Sequence, residues 1–298
     1  MSLPQSHPGA SPEAIQYHYD VGNEFYRMWL DPNMVYSGAM WGEGDDLEAA
    51  QLRKLDYHIT QAGAAGKGRV LEIGCGWGVL LRRLVENYGV RRAVGLTLSE
   101  AQAEWTHERT DPRIEVRVES WSDHVPDEPY DAMISIGAFE HFARLDFSEE
   151  QKVDSYRAFF RYCQRWLQPD GLLSLQTFAY GNARSRQDAV RASSTQFLAK
   201  EIFPETDPPR LANIAEATEG TFEIVSLRND RKDYAKTCRG WLENIRKNRE
   251  AIVKLAGEDT TARYERYLKY SFIGFETGNL DLFRITLRRI NPLWSKKS

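Results

Sequence analysis

Cysteine is scarce in this chain of 298 residues: Cys75, Cys163 and Cys238 are the three present, and they lie far apart. That is too few and too scattered for a metal cluster or a disulfide framework, and a reducing, cytoplasmic setting is the simplest expectation. No apolar run reaches the roughly 18 residues a membrane helix needs, so no integral membrane contact is expected. The opening MSLPQSHPGASPEA has neither a basic n-region nor an apolar core, which excludes a signal peptide from the reading. An excess of positive charge is also missing. Lys and Arg total 39 against 43 Asp and Glu, a net charge of −4, which argues against nucleic acid as a partner. No internal repeat or low-complexity tract stands out. What is plentiful is ordinary globular material, 42% apolar and 28% charged, with eight Trp and fourteen Tyr. Those aromatics build either a bulky core or an aromatic-walled pocket.

The pattern along the chain predicts one α/β unit. Residues 1–12 are rich in Pro and Ser and read as a disordered N-terminus. Residues 13–65 read as a helical cap, with Ser11-Pro12 as a helix start, a break near Val21-Gly22-Asn23 and a turn at Asp31-Pro32-Asn33. From Arg69, strands alternate with helices: RVLEIG, AVGLTLS, IEVRVES, AMISIGA and LLSLQTF are the strands. A helix over roughly 148–167 is expected to stop at Pro169-Asp170-Gly171. Such alternation implies a mainly parallel sheet covered on both faces. Residues 180–220 read as a helical lid insertion with a Pro-rich bend, followed by the strand TFEIVSLRND, helices over 236–256 and 260–279, and the strand LFRITLRRI. The expectation is therefore a seven-stranded, mostly parallel sheet in a single domain over 13–290, with a tail at 291–298. The helical additions would roof the C-terminal edge of the sheet, where ligands of open α/β sheets bind.

The first strand runs into Glu72-Ile73-Gly74-Cys75-Gly76-Trp77-Gly78. Glycine lets the backbone approach a ligand closely, and the helix that follows offers free N–H groups. The dinucleotide fingerprint would need glycine at Val79, and the next strand carries no acid for a ribose. A P-loop is excluded because no Gly-Lys-Ser/Thr follows. An acid-x-G-x-G-x-G loop after a strand remains, and it resembles motif I of the S-adenosylmethionine-dependent methyltransferases.

Three further segments narrow the resemblance. They are Tyr17–Tyr26 continuing to Leu30–Ala39, Gly95–Ser99 with Gln102, and Ser135-Ile136-Gly137-Ala138-Phe139-Glu140-His141-Phe142. Together they resemble the cyclopropane fatty acid synthase and mycolic acid cyclopropane synthase family, from about residue 14 to about 288. The resemblance implies a class I methyltransferase fold, Rossmann-like, with S-adenosyl-L-methionine lying over the glycine loop. It carries cofactor contacts onto Tyr36, Ser37, Glu72, Gly74, Gly76, Thr97, Leu98, Gln102, Trp121 and Ile136. Tyr36 and Trp121 also make sense on their own, since aromatic faces attract a sulfonium by roughly 0.5–2 kcal/mol. One motif departs: the family's Gly-Trp-Glu is Ser120-Trp121-Ser122, with Glu119 nearby.

In the family a bound bicarbonate takes the proton lost on ring closure, and its cradle uses Cys, Glu, His and Tyr side chains. Here Glu140 and Tyr234 match, whereas the Cys is Gly38 and the His is Gln176. Gly38 is expected to open volume. Half the cradle is thus altered, which favours methyl transfer without ring closure. Glu140, His141 and Tyr234 are the candidate catalytic residues, the Glu-His pair being shared with related plant alkaloid N-methyltransferases. The bland alternatives are a Glu140 satisfied by backbone N–H groups, a structural His141 and a core Tyr234. His58, His107 and His124 show no metal spacing, and His18 is expected to hydrogen-bond within the N-terminal helix. The reading is a C-methyltransferase acting on an alkene, enol or aromatic ring of a hydrophobic small-molecule acceptor, in specialised metabolism. The alternatives are a fatty acyl cyclopropane or methyl-branch synthase, and a small-molecule N-methyltransferase. A homo-oligomer is left open.

Overall fold

A computed structural model describes residues 9–11, 21–108 and 111–291. Seven strands make one sheet: β1 (Arg69–Ile73), β2 (Arg92–Thr97), β3 (Ile114–Val118), β4 (Tyr130–Ile136), β5 (Leu167–Tyr180), β6 (Phe222–Asn229) and β7 (Leu280–Arg289). Their spatial order is β3-β2-β1-β4-β5-β7-β6. The first five run parallel, and β7 lies antiparallel between β5 and β6. The strand order reverses between β1 and β4, and a crevice opens at the carboxyl ends of strands at such a point.

Side-chain alternation splits the core. Along β1, Leu71 and Ile73 face one side and pack with Phe159 and Phe160 of α5 (Glu149–Trp166). Val70 faces the other side, with Leu55 and Ile59 of α2 (Leu47–Gln61) and Leu80 and Leu84 of α3 (Val79–Glu86). Local signals set the helix starts. The Asp46 carboxylate accepts from Ala49 N, Ser99 caps α4 (Glu100–His107), and Ser148 with Gln151 forms a capping box on α5.

A third apolar cluster joins the short α1 (Asn23–Arg27) to α9 (Arg231–Lys247), α10 (Arg249–Ala256) and α11 (Glu258–Thr277). Phe25, Tyr26 and Trp29 are fully buried in it, with Trp29 edge-on to Trp241 at 5.8 Å and Phe25 edge-on to Tyr264 at 4.7 Å. These three aromatics form the core that fixes the cap rather than the wall of a pocket. Tyr17, His18 and Tyr19 lie outside the described residues.

The stretch 180–220 holds α6 (Arg186–Arg191) and α7 (Ser193–Glu201), of which α7 has no buried residue. The third helix of that stretch, α8 (Leu211–Ala217), buries Ile214 and Ala217 against the α5 face of the sheet. Its apolar stripe is satisfied by the main core, so it cannot also roof a cavity. The Pro169-Asp170-Gly171 stop belongs to the start of β5, where Asp170 takes φ +60° and the pairing with β4 slips. Among the described residues no helix is long and apolar enough to cross a membrane.

Candidate active site

Three cavities line up beyond the carboxyl ends of β1 and β4. One of them, about 170 Å³, lies over the glycine loop. Glu72 supplies a side chain from β1, and Gly74 and Gly76 supply backbone. Both glycines take positive φ, and a Cβ on Gly74 would stand 2.7 Å from the Ala138 methyl. The loop can therefore press against the β4 turn only because it lacks side chains. Thr97 and Leu98 enter from the end of β2, Gln102 from α4, Ile136 from β4, Trp121 from the segment after β3, and Tyr36 and Ser37 from the cap. All ten residues assigned to cofactor contact from the sequence thus border one cavity.

One feature of that cavity suits a cationic ligand. Glu72 is 4% exposed, and its Oε2 has no hydrogen-bond partner. Burial pushes its carboxyl group well above the usual range, opposed by the charges of Lys54 and Arg82. An ammonium placed there would restore the ionised form. The Thr97 hydroxyl donates to Gln102 Oε1 at 2.9 Å, which fixes the Gln102 side chain at the cavity wall.

A small second cavity, about 30 Å³, shares Tyr36, Ser37, Gly137 and His141 with the first. Glu140, His141 and Tyr234, the three catalytic candidates, all border it. Glu140 sits in a 3₁₀ turn (Phe139–His141) just past β4 and is 3% exposed. Its Oε2 accepts from Thr177 Oγ1 at 3.0 Å, and the Phe178 N–H also donates to the carboxylate. Burial nevertheless outweighs these donors and raises its pKa to about 8. The donors hold the carboxylate in place, as the bland reading required, but they leave it facing a cavity. His141 Nδ1 pairs with Thr206 Oγ1 at 2.8 Å, and burial lowers the imidazole to about 4, so it is neutral at physiological pH. The Tyr234 ring stacks on Phe275 at 4.3 Å.

The anion cradle is not reproduced. Gly38 does not open volume: a Cβ there would lie 2.8 Å from both the Tyr234 ring and the Leu282 methyl, so these side chains already fill the space. Gln176 is committed elsewhere. Its Oε1 accepts from Arg284 Nε at 2.9 Å and pairs with His58 Nε2 at 3.2 Å, and its Nε2 donates to the Gly38 carbonyl at 3.2 Å. Arg284 is fully buried and also donates to the Ala39 carbonyl at 2.8 Å. The residues at this spot therefore do not fit a bicarbonate ion.

The third cavity, about 170 Å³, continues past Phe178, Phe203, Tyr234 and Tyr267, which it shares with the second. Its further walls are mostly apolar, with Leu198 from α7 and Phe275 from α11. The chamber beside Glu140 is thus a junction between the loop-lined cavity and the apolar one.

Several residues at the site escaped sequence reasoning. On α2, Gln51, Lys54 and His58 share the buried stripe with Leu55 and Ile59. Polar residues at i, i+3 and i+7 on a buried face were the available signal. Lys54 Nζ donates to Ser37 Oγ at 2.6 Å, and burial lowers the amine to about 7. His58 Nδ1 pairs with Ser174 Oγ at 2.8 Å and stays neutral through burial and the nearby Arg284 charge. Arg284 and Thr177 carried no local signal, because each is one of several polar residues in its strand and nothing near it in sequence singles it out. Among the described residues no group of three or more His, Cys, Asp or Glu could hold a metal ion.

The family model described as mycolic acid cyclopropane synthetase matches residues 8–285. The chain is 33% identical to cyclopropane mycolic acid synthase 2 of Mycobacterium leprae, over 94% of each chain. It is 33% identical to the cyclopropane mycolic acid synthase MmaA2 of Mycobacterium tuberculosis, over 93% of this chain and 97% of that one. The solved structure of MmaA2 superposes with a TM-score of 0.84 at 31% identity, covering 94% of this chain and 99% of that one. The mycolic acid cyclopropane synthase CmaA1 complexed with SAH and CTAB also superposes at 0.84, with 30% identity and coverage of 94% and 99%. Coclaurine N-methyltransferase, at 20% identity and a TM-score of 0.76, shares the class I methyltransferase fold.

Proposed function

This chain belongs to the mycolic acid cyclopropane synthetase family, and on that premise we propose that it transfers a methyl group from S-adenosylmethionine to a double-bond carbon of a long apolar acyl-type chain. The observation that carries the reading is the junction at Glu140, where the loop-lined cavity meets the apolar one. An apolar channel of this kind suits an acyl chain better than the compact small molecule suggested by the altered cradle. The family relatives are named for mycolic acids, which points the same way.

The loop-lined cavity fits the cofactor. Glu72 would hold the ammonium, the Gly74–Gly76 backbone would lie against the methionine portion, and Trp121 would border the adenine. When bound, S-adenosylmethionine supplies an electrophilic methyl on a positively charged sulfur. The chain's own contribution is threefold. Phe178, Phe203 and Tyr267 hold the acceptor alkene at the junction and exclude water. That positioning is the main source of rate enhancement in a transfer between two bound partners. The Glu140 carboxylate, ionised, faces the positive charge that develops on carbon and accepts the proton released afterwards. Thr177 and the Phe178 N–H keep it oriented for that step. No step passes through a bound anion.

The test uses S-adenosylmethionine carrying a trideuterated methyl, unsaturated phospholipid vesicles, and mass spectrometry of the acyl chains. Methylated acyl product is expected. Ring closure retains two deuteriums, because the third leaves as the proton, whereas a methyl branch retains all three. No label in any acyl chain, with transfer to a non-lipid alkene instead, overturns the acyl reading.

A further inference from the structure

The segment after β3 presents a carboxylate that the methyl-transfer chemistry does not use. Glu119 borders the loop-lined cavity together with Trp121. Its Oε1 accepts from His124 Nδ1 at 2.6 Å. The His124 side chain is wholly buried, and its Nε2 pairs with the Tyr130 hydroxyl at 2.9 Å. The ring is clamped further by Tyr130, stacked at 6.0 Å, and by Trp166, edge-on at 5.0 Å. Arg117 approaches the same carboxylate at 3.8 Å. A carboxylate at a cavity wall, pinned through a buried imidazole, is an arranged feature rather than a mobile surface acid.

The neighbouring side chains leave this task to Glu119. Ser120 and Ser122 face each other, with their hydroxyls 2.9 Å apart and the Ser122 N–H donating to Ser120 Oγ. Trp121 is 6% exposed and packs against Phe142, Phe159 and Tyr162 at 5.2–5.6 Å, which fixes the plane of the indole at the cavity. β3 and β1 are two strands apart in the sheet, so Glu119 and Glu72 stand roughly 10 Å from each other laterally. An ionised carboxylate only accepts hydrogen bonds. The group it meets must therefore be a donor, carried on a flat ring beside an indole.

Resting on the reading that this cavity holds S-adenosylmethionine, the geometry points to Glu119 as the residue that selects an amino-purine over an oxo-purine, by accepting from the exocyclic amine of the adenine. Ser122, which stands where the family's motif has a glutamate, offers no carboxylate of its own. The oxo-purine loses affinity because its exocyclic oxygen faces a carboxylate with no proton between them.

The experiment is calorimetric titration of the full chain with S-adenosylhomocysteine and with S-inosylhomocysteine, in which the amine is replaced by oxygen. The unaltered protein is expected to prefer the adenine form by roughly 10- to 100-fold, the range for one hydrogen bond to a charged group. Glu119→Gln, which can donate to the oxygen, and Glu119→Ala should each bring the ratio towards one. Ser122→Ala should leave it unchanged. Thermal melts establish that each variant is folded, and the isosteric Gln variant keeps the test available if the Ala variant is not. A ratio unchanged in both Glu119 variants, with S-adenosylhomocysteine still bound, overturns the assignment alone. Failure of the unaltered protein to bind S-adenosylhomocysteine overturns the cofactor reading and this assignment with it.

Discussion

Glu140 is a carboxyl group held where its charge is costly. Burial raises its pKa to about 8, above the usual 4.5, against the pull of Thr177 and the backbone donors. In the proposed role it must be ionised, so the rate of methyl transfer should climb with pH and level off above about 8. Glu140→Gln should reduce turnover by roughly 10²–10⁴-fold and abolish that limb, as a pH–rate profile would show. The same shift fixes the sign of a stability effect. A folded-state pKa above the unfolded value contributes stability that is complete at pH below the unfolded value and is lost as pH rises through about 8. Glu140→Gln should therefore be more stable than the parent at pH 8, by on the order of 2–4 kcal/mol. The gap should close near pH 4 in denaturant melts. An enzyme that keeps a destabilising carboxylate does so for its chemistry, and a mutation that stabilises the fold while removing activity is the signature.

The elements around the site are fastened by a buried ion pair. Lys152 on α5 donates to Asp207 Oδ2 at 2.8 Å and to the Pro208 carbonyl at 2.6 Å, and both charged side chains are wholly buried. The Asp207 N–H donates to the Ala143 carbonyl at 3.0 Å, tying the segment after α7 to the segment after Glu140. Removing one partner strands a buried charge. Lys152→Met should cost about 3–5 kcal/mol of unfolding free energy. Replacing both, with Lys152→Met and Asp207→Leu, should cost far less, and urea melts of the single and double variants would show the difference. This pair was invisible in the sequence. Its members lie 55 residues apart, and each looks like a surface charge on its own. The helix caps were legible by contrast, because Asp46, Ser99 and Ser148 act within their own first turn.

At the scale of the whole molecule, the cavities lie where three apolar clusters meet. Trp121 belongs to one face of the sheet, Leu55 and Ile136 to the other, and Trp77 and Met34 to the cap. All of them border the loop-lined cavity. A ligand there touches every cluster, so it should stabilise the chain as one unit. S-adenosylhomocysteine at about 100 times its Kd should add about 2.7 kcal/mol and raise a single melting transition by a few degrees. Two transitions, with only one of them shifted, would show that the cap melts apart from the sheet.

The sequence by itself determined the strand–helix alternation, the glycine loop and the family, because each is written in local spacing: period two in strands, caps at helix starts, and glycines where the backbone turns. It also singled out residues that the fold brings together, since Glu140, Tyr234, Gly38 and Gln176 all meet at one junction. What it could not decide was what occupies that junction. From the resemblance, a glycine where the family has cysteine reads as added space. Only the packing of the Tyr234 ring and Leu282, both far along the chain, shows the space already filled. Likewise Gln176 reads as a free amide until Arg284 arrives from β7 and His58 from α2 to consume it. The aromatic residues of the cap gave no hint whether they wall a cavity or fill a core, and Trp241 and Tyr264, more than two hundred residues later, settled it. Local patterns fix elements because their energetics close within a few residues. Volume and hydrogen-bond capacity at a site are settled between distant ones, and tertiary contact alone sets them.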